Sequence, residues 1–531
     1  MIIDASHVSL HPGLDCDVCI VGGGPAGISL AVELADSGLQ ICILESGGLT
    51  HEATAQDLLN GEVFGSDYPE LHETRLAALG GSTGVWAGWC RPLDAIDFEA
   101  RDWVPGSGWP FALSDLMPFY RRAHELCGLG SSDYDAGVWA RRTDSVPLPL
   151  PPEQFSTTIF QISPVSFGTQ YRGLLDRKAN IRTVLHATAL RLFAAPTADR
   201  IERARVSTSD NKQFDVTARI FVLAAGAIEN ARLLLLSGDC PEISIGNGRG
   251  LVGRYFMEHG FINAGSYFCS DAAQSMAFHF PTRVQLDGHE VVVRSGFSVS
   301  PTIARGQRLL NAAIFFHPSY ESHDVFDSPE ISALLEIRDK LRGRAVPGGY
   351  LKRVVRVLHS PGKLAIAVHR RAFVRARPQR RWRTRALFEC APHSDNRVSL
   401  CPERDRLNRP RVRVRWQLGE LDLYSVRQTH ALLDNALRGA GLGRFESRLV
   451  TDLSWQRATE AAKHHLGTTR MHGEPAHGVV DADCKVHGVP NLYIAGGSVF
   501  PTGGFANPTL TIVALAARLA EHIRNELTPK T

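Results

Sequence analysis

From Asp15 to Gly47 the spacing of apolar positions changes twice. DCDVCIVGGG alternates and then runs apolar into glycines, PAGISLAVELADSG places apolar residues three and four apart, and LQICILESG returns to a short unbroken apolar run. That order predicts a buried strand, a glycine turn, a helix with one packed face and a second strand closing on Glu45. Two later segments repeat the strand, small-residue turn and helix. They are ARIFVLAAGAIENARLLLLSG at 218–238, turning at Gly226, and NLYIAGGSVFPTGGFANPTLTIVALAARLAEHI at 491–523. Between them, ECAPHSDNRVSLCPERDRLNRPRVRVRW reads as two alternating strands around a polar turn, expected to belong to a sheet that walls a pocket. RLAALGGSTGVWAGWCRP, residues 75–92, is a glycine-rich loop whose Ser82, Thr83, Trp86, Trp89 and Cys90 can lie against a flat ring.

Composition narrows the class. The chain has 531 residues, 44% apolar, with a formal net charge of +3, which is ordinary for a globular protein and gives no case for a nucleic-acid binder. The amino terminus lacks a basic start followed by an apolar run, and no apolar stretch is long enough to span a bilayer, so a soluble cytoplasmic protein without a transmembrane segment is expected. Ten scattered cysteines do not form a disulfide scaffold. Cys16 and Cys19 make a C-x-x-C without a second pair at zinc spacing, so core packing rather than a metal site is expected.

The glycines at 22, 24 and 27 have the spacing of a dinucleotide-binding turn. Gly22 permits the tight turn, Gly24 lets a pyrophosphate approach the backbone, and Gly27 lets the helix pack on the strand. Glu45 stands where a carboxylate can accept both hydroxyls of an adenosine ribose, and it would repel a 2′-phosphate, which leaves FAD or NAD.

The dinucleotide turn with Glu45, the LGGST loop, AAGAIE, HHLGTTRM, VVDADCKVHGVPNLYIAGGSVFPTGG and ANPTLT, in that order, resemble the glucose-methanol-choline (GMC) oxidoreductases over most of the chain. The resemblance implies an α/β (α+β) fold in which a discontinuous Rossmann-like FAD-binding domain carries an inserted, sheet-containing substrate domain. Its implied boundaries are 1–265 for the first part, with a flavin-covering segment at about 60–150, then 266–454 for the substrate domain and 455–531 for the remainder of the FAD domain. The implied cofactor contacts are Gly22, Gly24, Gly27, Glu45, Gly81, Ser82, Ala225, Gly497 and Asn507. Some members tether FAD through a histidine after the paired glycines; no histidine occurs at 80–90 here, so noncovalent FAD is expected.

Adjacent histidines in KHHLGTTRMHG point in two directions, so at most one faces a given pocket. The family register selects His464 as the active-site histidine and leaves His465 to the fold. ANPTLT places Asn507 as its partner. Oxidation of an alcohol to a carbonyl would then send hydride to flavin N5 and the hydroxyl proton to His464, whose reference pKa of about 6.5 predicts a loss of rate in acid. Asn507 would donate to the same oxygen, and its side-chain oxygen would also cap the following helix.

The expected substrate is a sugar, glycoside or related polyol, by likeness to fructose and glucoside 3-dehydrogenases and pyranose oxidase. A sterol, a simple alcohol or a natural-product intermediate is the alternative. Oxygen, a quinone or a separate redox protein would take the electrons. A flavin monooxygenase or halogenase shares the opening turn but has no need of His464 and Asn507, and a non-catalytic electron-transfer flavoprotein is a third class. Residues 341–385 hold fourteen Lys or Arg and no acid, read as a solvated face rather than a contact with a membrane surface, an acidic protein or an anionic substrate.

Overall fold

The amino-terminal strand, turn and helix form as Gly13–Val21 and Pro25–Glu33, with Pro25 at the start of the helix, where its missing N–H costs nothing. The structure is a computed structural model that describes every residue except 9–12, 196–199, 239–244, 272, 287, 319–379, 450, 452–454, 456–457 and 529–531. Gly13–Val21 lies in an eight-stranded sheet whose spatial order is Ile2–Asp4, Ile181–Leu185, Ile41–Leu44, Gly13–Val21, Gln213–Leu223, Ile201–Thr208, Ala187–Ala194. Leu492–Ile494 pairs beside Gln213–Leu223. The pairings from Ile2–Asp4 through to Gln213–Leu223 are parallel, as is that of Leu492–Ile494. Strands here are therefore buried on both faces, which is why ICIL and the IFVL of the later segment read as unbroken apolar runs. Three segments separated by hundreds of residues thus converge on one sheet, with Gly226–Ser237 and Thr509–Leu527 as the helices following two of them. Thr509–Leu527 packs on Pro25–Glu33 and on Leu113–Leu126.

A second, nine-stranded antiparallel sheet runs Gly443–Ser447, His259–Cys269, Arg381–Glu389, Ala312–Pro318, His289–Val299, Phe155–Ile162, Trp89–Cys90. The short strands Thr282–Leu286 and Thr459–Ala461 pair onto it. Its membership cuts across the sequence-based boundaries. Phe155–Ile162 and Trp89–Cys90 come from the segment expected within 1–265. The expected hairpin forms as Arg397–Arg404 and Pro410–Trp416, but it does not join this sheet as a pocket wall. It pairs in parallel with Gly61–Gly65 and packs its Val398, Val412 and Val414 into the core of the first region, against Gly226–Ser237. Up to position 379 the basic stretch lies outside the described residues.

One buried ion pair fastens the two regions. Arg101 donates from Nη1 to Glu389 Oε2 at 2.8 Å and from Nη2 to Oε1 at 2.6 Å, with both side chains essentially inaccessible. Glu389 also accepts from the backbone N–H of Asn311. Removing one partner leaves the other charge buried alone, so Arg101→Met is expected to cost about 3–5 kcal/mol of unfolding free energy. Pairing it with Glu389→Leu is expected to restore a large share, read by denaturant unfolding of single and double variants; equal losses in Arg101→Met and the double variant would contradict the pairing.

Candidate active site

The three turn glycines occupy distinct environments. Gly22 has φ +113°, and a Cβ there would meet the Ala224 carbonyl oxygen at 2.6 Å. Gly27 is closed in, since a Cβ would lie 2.0 Å from the Gly22 carbonyl oxygen. Gly24 opens onto space, with nothing within 4 Å of a built Cβ. The turn therefore has a vacant face at the amino end of the helix, where backbone N–H groups favour an anion. Gly81 of the LGGST loop approaches this face from the other side, its Cβ position 3.1 Å from Gly24 Cα, and Ser82 next to it is exposed. Glu45 is buried, and its two carboxylate oxygens accept from the Gly23 N–H at 2.9 Å and the Gly47 N–H at 2.8 Å. Burial raises its pKa against those donors. Each oxygen retains a further lone pair for ribose hydroxyls. Ala225 lies against Gly22, its N–H donating to Asn230 Oδ1 at 2.8 Å. Gly497 backs the histidine segment, with a Cβ 2.8 Å from the His465 carbonyl oxygen. A cradle of this shape with a buried acid beyond it fits the adenosine pyrophosphate of FAD.

The structure brings His464 and Asn507 together and turns His465 away. Asn507 Nδ2 lies 3.2 Å from His464 Nε2, and His464 Nδ1 lies 3.0 Å from His259 Nδ1. His259 Nε2 lies 3.3 Å from the Gly503 carbonyl oxygen. A carbonyl only accepts, so His259 carries its proton on Nε2 and presents a bare Nδ1, His464 donates to it from Nδ1–H, and His464 Nε2 is left as the acceptor for the Asn507 amide. Burial, with His259 and His465 nearby, holds His464 well below the usual histidine range, and burial lowers His259 to about 4. The expected helix cap does not form. The helix begins at Thr509 behind Pro508 without a side-chain cap, and Asn507 Oδ1 is buried without a partner.

Sequence reasoning missed His259, Glu258 and Tyr68. Glu258 is fully buried and accepts from Tyr68 Oη at 2.7 Å, from the His259 backbone N–H at 3.1 Å and from the His464 backbone N–H. Burial pushes its carboxyl up to about 7 against those bonds. His465 Nε2 meets Tyr68 Oη at 2.7 Å, and burial with Arg75 and Lys463 lowers this histidine to about 3. The pair Glu258–His259 opens the strand His259–Cys269 and reaches His464 through its pairing with Thr459–Ala461. No local spacing in VGRYFMEHG encodes a contact 205 residues away. In the terminal strand of the second sheet Trp89 is half-buried and Cys90 is buried.

Residues 392–516 match the family model for GMC oxidoreductase, and residues 15–60 match that for an FAD binding domain. The chain is 24% identical over 567 residues to 6'''-hydroxyparomomycin C oxidase of Streptomyces lividus, covering 96% of this chain and 92% of that protein. It is 22% identical over 593 residues to the fructose dehydrogenase large subunit of Gluconobacter japonicus, covering 97% and 98%. A crystal structure of formate oxidase superposes with a TM-score of 0.56 at 19% identity, covering 97% of this chain and 99% of that one. Fold and matches define an FAD-dependent oxidoreductase. The carboxyl-terminal part of the chain, residues 392–516, is similar to the GMC oxidoreductases. Among the described residues no helix is long and apolar enough to cross a membrane.

The environments of the glycines generate opposite expectations for two alanine variants. Gly27→Ala should lower the melting temperature of the FAD-free protein, because its methyl group meets backbone. Gly24→Ala should leave that temperature unchanged and weaken FAD binding by about tenfold or more, roughly 1.4 kcal/mol, because its methyl group enters the pyrophosphate's place. Melting curves without FAD and fluorescence titration with it separate the two, and unaltered affinity in Gly24→Ala would place the phosphates elsewhere.

Proposed function

We propose that this chain oxidises a CH–OH group of a small sugar, glycoside or related polyol to the carbonyl, with His464 as the proton acceptor and Asn507 as its positioning partner. The supporting observation is the bare Nε2 of His464, oriented by a chain of hydrogen bonds that ends on the Gly503 carbonyl. FAD, held noncovalently by the glycine turn and Glu45, supplies the hydride acceptor when bound. The long 3.2 Å contact between Asn507 Nδ2 and His464 Nε2 is one a substrate hydroxyl can replace, giving its proton to Nε2 and accepting from the amide. Asn507 Oδ1, buried and unpartnered, is available to a second hydroxyl, a feature suited to a polyol. Once protonated, His464 has the Glu258 carboxylate on its backbone N–H and the bare Nδ1 of His259 on its ring. Both favour the imidazolium in a site with little water to do so. The oxidation of fructose recorded in one relative's name supports a sugar or polyol as the substrate class.

Acid precipitation is expected to leave the yellow colour in the supernatant; colour kept in a washed pellet would contradict noncovalent FAD. His464→Ala should retain FAD and slow anaerobic flavin reduction about 10²- to 10⁴-fold, and His465→Ala far less. The pH profile has two parts. A group with a raised pKa loses its charge early as pH falls, so a modest fall in rate through about pH 7 is expected from Glu258 and should vanish in Glu258→Gln. A group with a lowered pKa stays neutral further into acid, so the loss of the base itself comes well below pH 6.5 and disappears in His464→Ala. Stopped-flow reduction across pH measures both, and a single fall at pH 6.5 that survives in Glu258→Gln would contradict the buried, neutral histidine.

A further inference from the structure

Buried arginines of this fold generally have carboxylates. Arg101 has Glu389, Arg232 has Asp405 and Glu229, and Arg409 has Asp405. Arg470, which lacks one, donates into the Gly106 and His477 carbonyls. Arg294 differs. It is nine-tenths buried in the strand His289–Val299, and no carboxylate among the described residues contacts it. Nη2 donates to His317 Nε2 at 3.0 Å and to the Phe316 carbonyl at 3.5 Å, while Nε is buried without a partner. His317 accepts through Nε2 and is held neutral, pushed down to about 3 by burial and by Arg294, Arg385 and Arg383. It therefore offers no counter-charge. Desolvation lowers Arg294 only to about 10, so the guanidinium remains a cation.

Register places this cation on the face of the sheet turned toward the candidate active site. Arg294 stands directly opposite Phe160 in the antiparallel pairing, and residues directly opposite share a face. Phe160 packs on Phe505, two residues before Asn507, with ring centroids 6.2 Å apart. The guanidinium carbon lies 4.8 Å from the Trp89 ring centroid and 5.3 Å from that of Phe315, in the cluster that also holds Phe505, Phe261 and Ala462. Phe261 follows His259 by two residues and Ala462 precedes His464 by two. On the neighbouring strand, Arg383 and Arg385 pair in register with His317 and Phe315, adding positive charge to the same face. Arg385 is paired with Glu460 at 3.1 Å, which leaves Arg294 as the buried cation of this face without a carboxylate partner among the described residues.

Resting on the reading above, we infer that the substrate is an anionic alcohol, a polyol bearing a carboxylate or phosphate that Arg294 binds while His464 and Asn507 hold the hydroxyl to be oxidised. A buried, uncompensated cation is costly, and an anionic ligand relieves that cost on binding, so it gains affinity that a neutral isostere does not. Aromatic faces at Trp89 and Phe315 hold the guanidinium plane without neutralising it. An amino sugar would bring like charge to the same place and be rejected.

The experiment uses the FAD-loaded full chain and compares gluconate, glucuronate and glucose 6-phosphate with glucitol, glucose and glucosamine in anaerobic flavin reduction. The expected result is a kcat/KM about 10- to 100-fold higher for an anionic member, carried mainly by KM, with glucosamine poorest. Carboxylate and phosphate arms identify the headgroup. Arg294→Met should collapse the anionic-to-neutral ratio, and Arg294→Lys, which keeps the charge without the fork, should retain part of it. Acetate and inorganic phosphate, which cannot be oxidised here, provide a readout independent of turnover: one of them should perturb the flavin spectrum and raise the melting temperature of the parent but not of Arg294→Met. Anion binding of this kind with no alcohol reducing the flavin would sink the oxidation reading and uphold the anion site. Equal use of neutral and anionic alcohols, an unchanged ratio in Arg294→Met and Arg294→Lys, or a change confined to FAD retention would overturn the inference.

Discussion

The carbonyl oxygen of Gly503 can only accept a hydrogen bond, and that fact orients the site. It places the proton of His259 on Nε2, which leaves Nδ1 bare, which draws the Nδ1 proton of His464 and leaves His464 Nε2 as a lone pair beside Asn507. Reversing the chain would set two lone pairs against each other at Gly503. A neutral imidazole with one fixed tautomer is what an alcohol proton needs as its acceptor. Burial makes the same choice by a second route, since it lowers both histidines and keeps them uncharged.

Holding that geometry requires a strained strap. Lys463 has φ +65° and Thr468 φ +70°, conformations costly for side chains with a Cβ and unusual for a β-branched threonine. Thr468 is fixed by its Oγ1 bond to the Ala227 carbonyl at 2.8 Å and by backbone bonds to Arg254 and Gly253. Gly467 has no room for a Cβ, the Tyr255 carbonyl oxygen being 1.9 Å from that position. The strap is thereby tied at once to a helix of the first region and to the chain entering the second sheet. Asn507 arrives on the loop that leads into Thr509–Leu527, whose buried face packs on Pro25–Glu33 behind the glycine turn. The glycine turn and the His464–Asn507 pair are fixed to one scaffold.

Elements whose cause is local were legible in the sequence. The tight turn at Gly22 and the close packing at Gly27 follow from spacing and agree with the contacts each makes, Gly24 opens onto space, and Glu45 directly follows its strand as the apolar run indicates. The choice of His464 over His465 needed the family register, and in the structure it is His464 that meets Asn507. What escaped has a nonlocal cause. His259 and Glu258 reach the site through strand pairing, Phe155–Ile162 joins a sheet built mostly from residues after 258, and the hairpin at 397–416 closes on Gly61–Gly65 rather than on that sheet. The cap expected of Asn507 failed because Asn–Pro at a helix start satisfies a composition rule, while the side chain is drawn to His464 instead.

The most direct measurement is the ¹⁵N spectrum of histidine-labelled enzyme, with the His464 ring signals assigned by their absence from His464→Ala. At pH 7 and at pH 6, Nδ1 should show the shift of a protonated nitrogen and Nε2 that of a bare one. A proton on Nε2, or an imidazolium at pH 6, would contradict a base oriented through His259 by the Gly503 carbonyl.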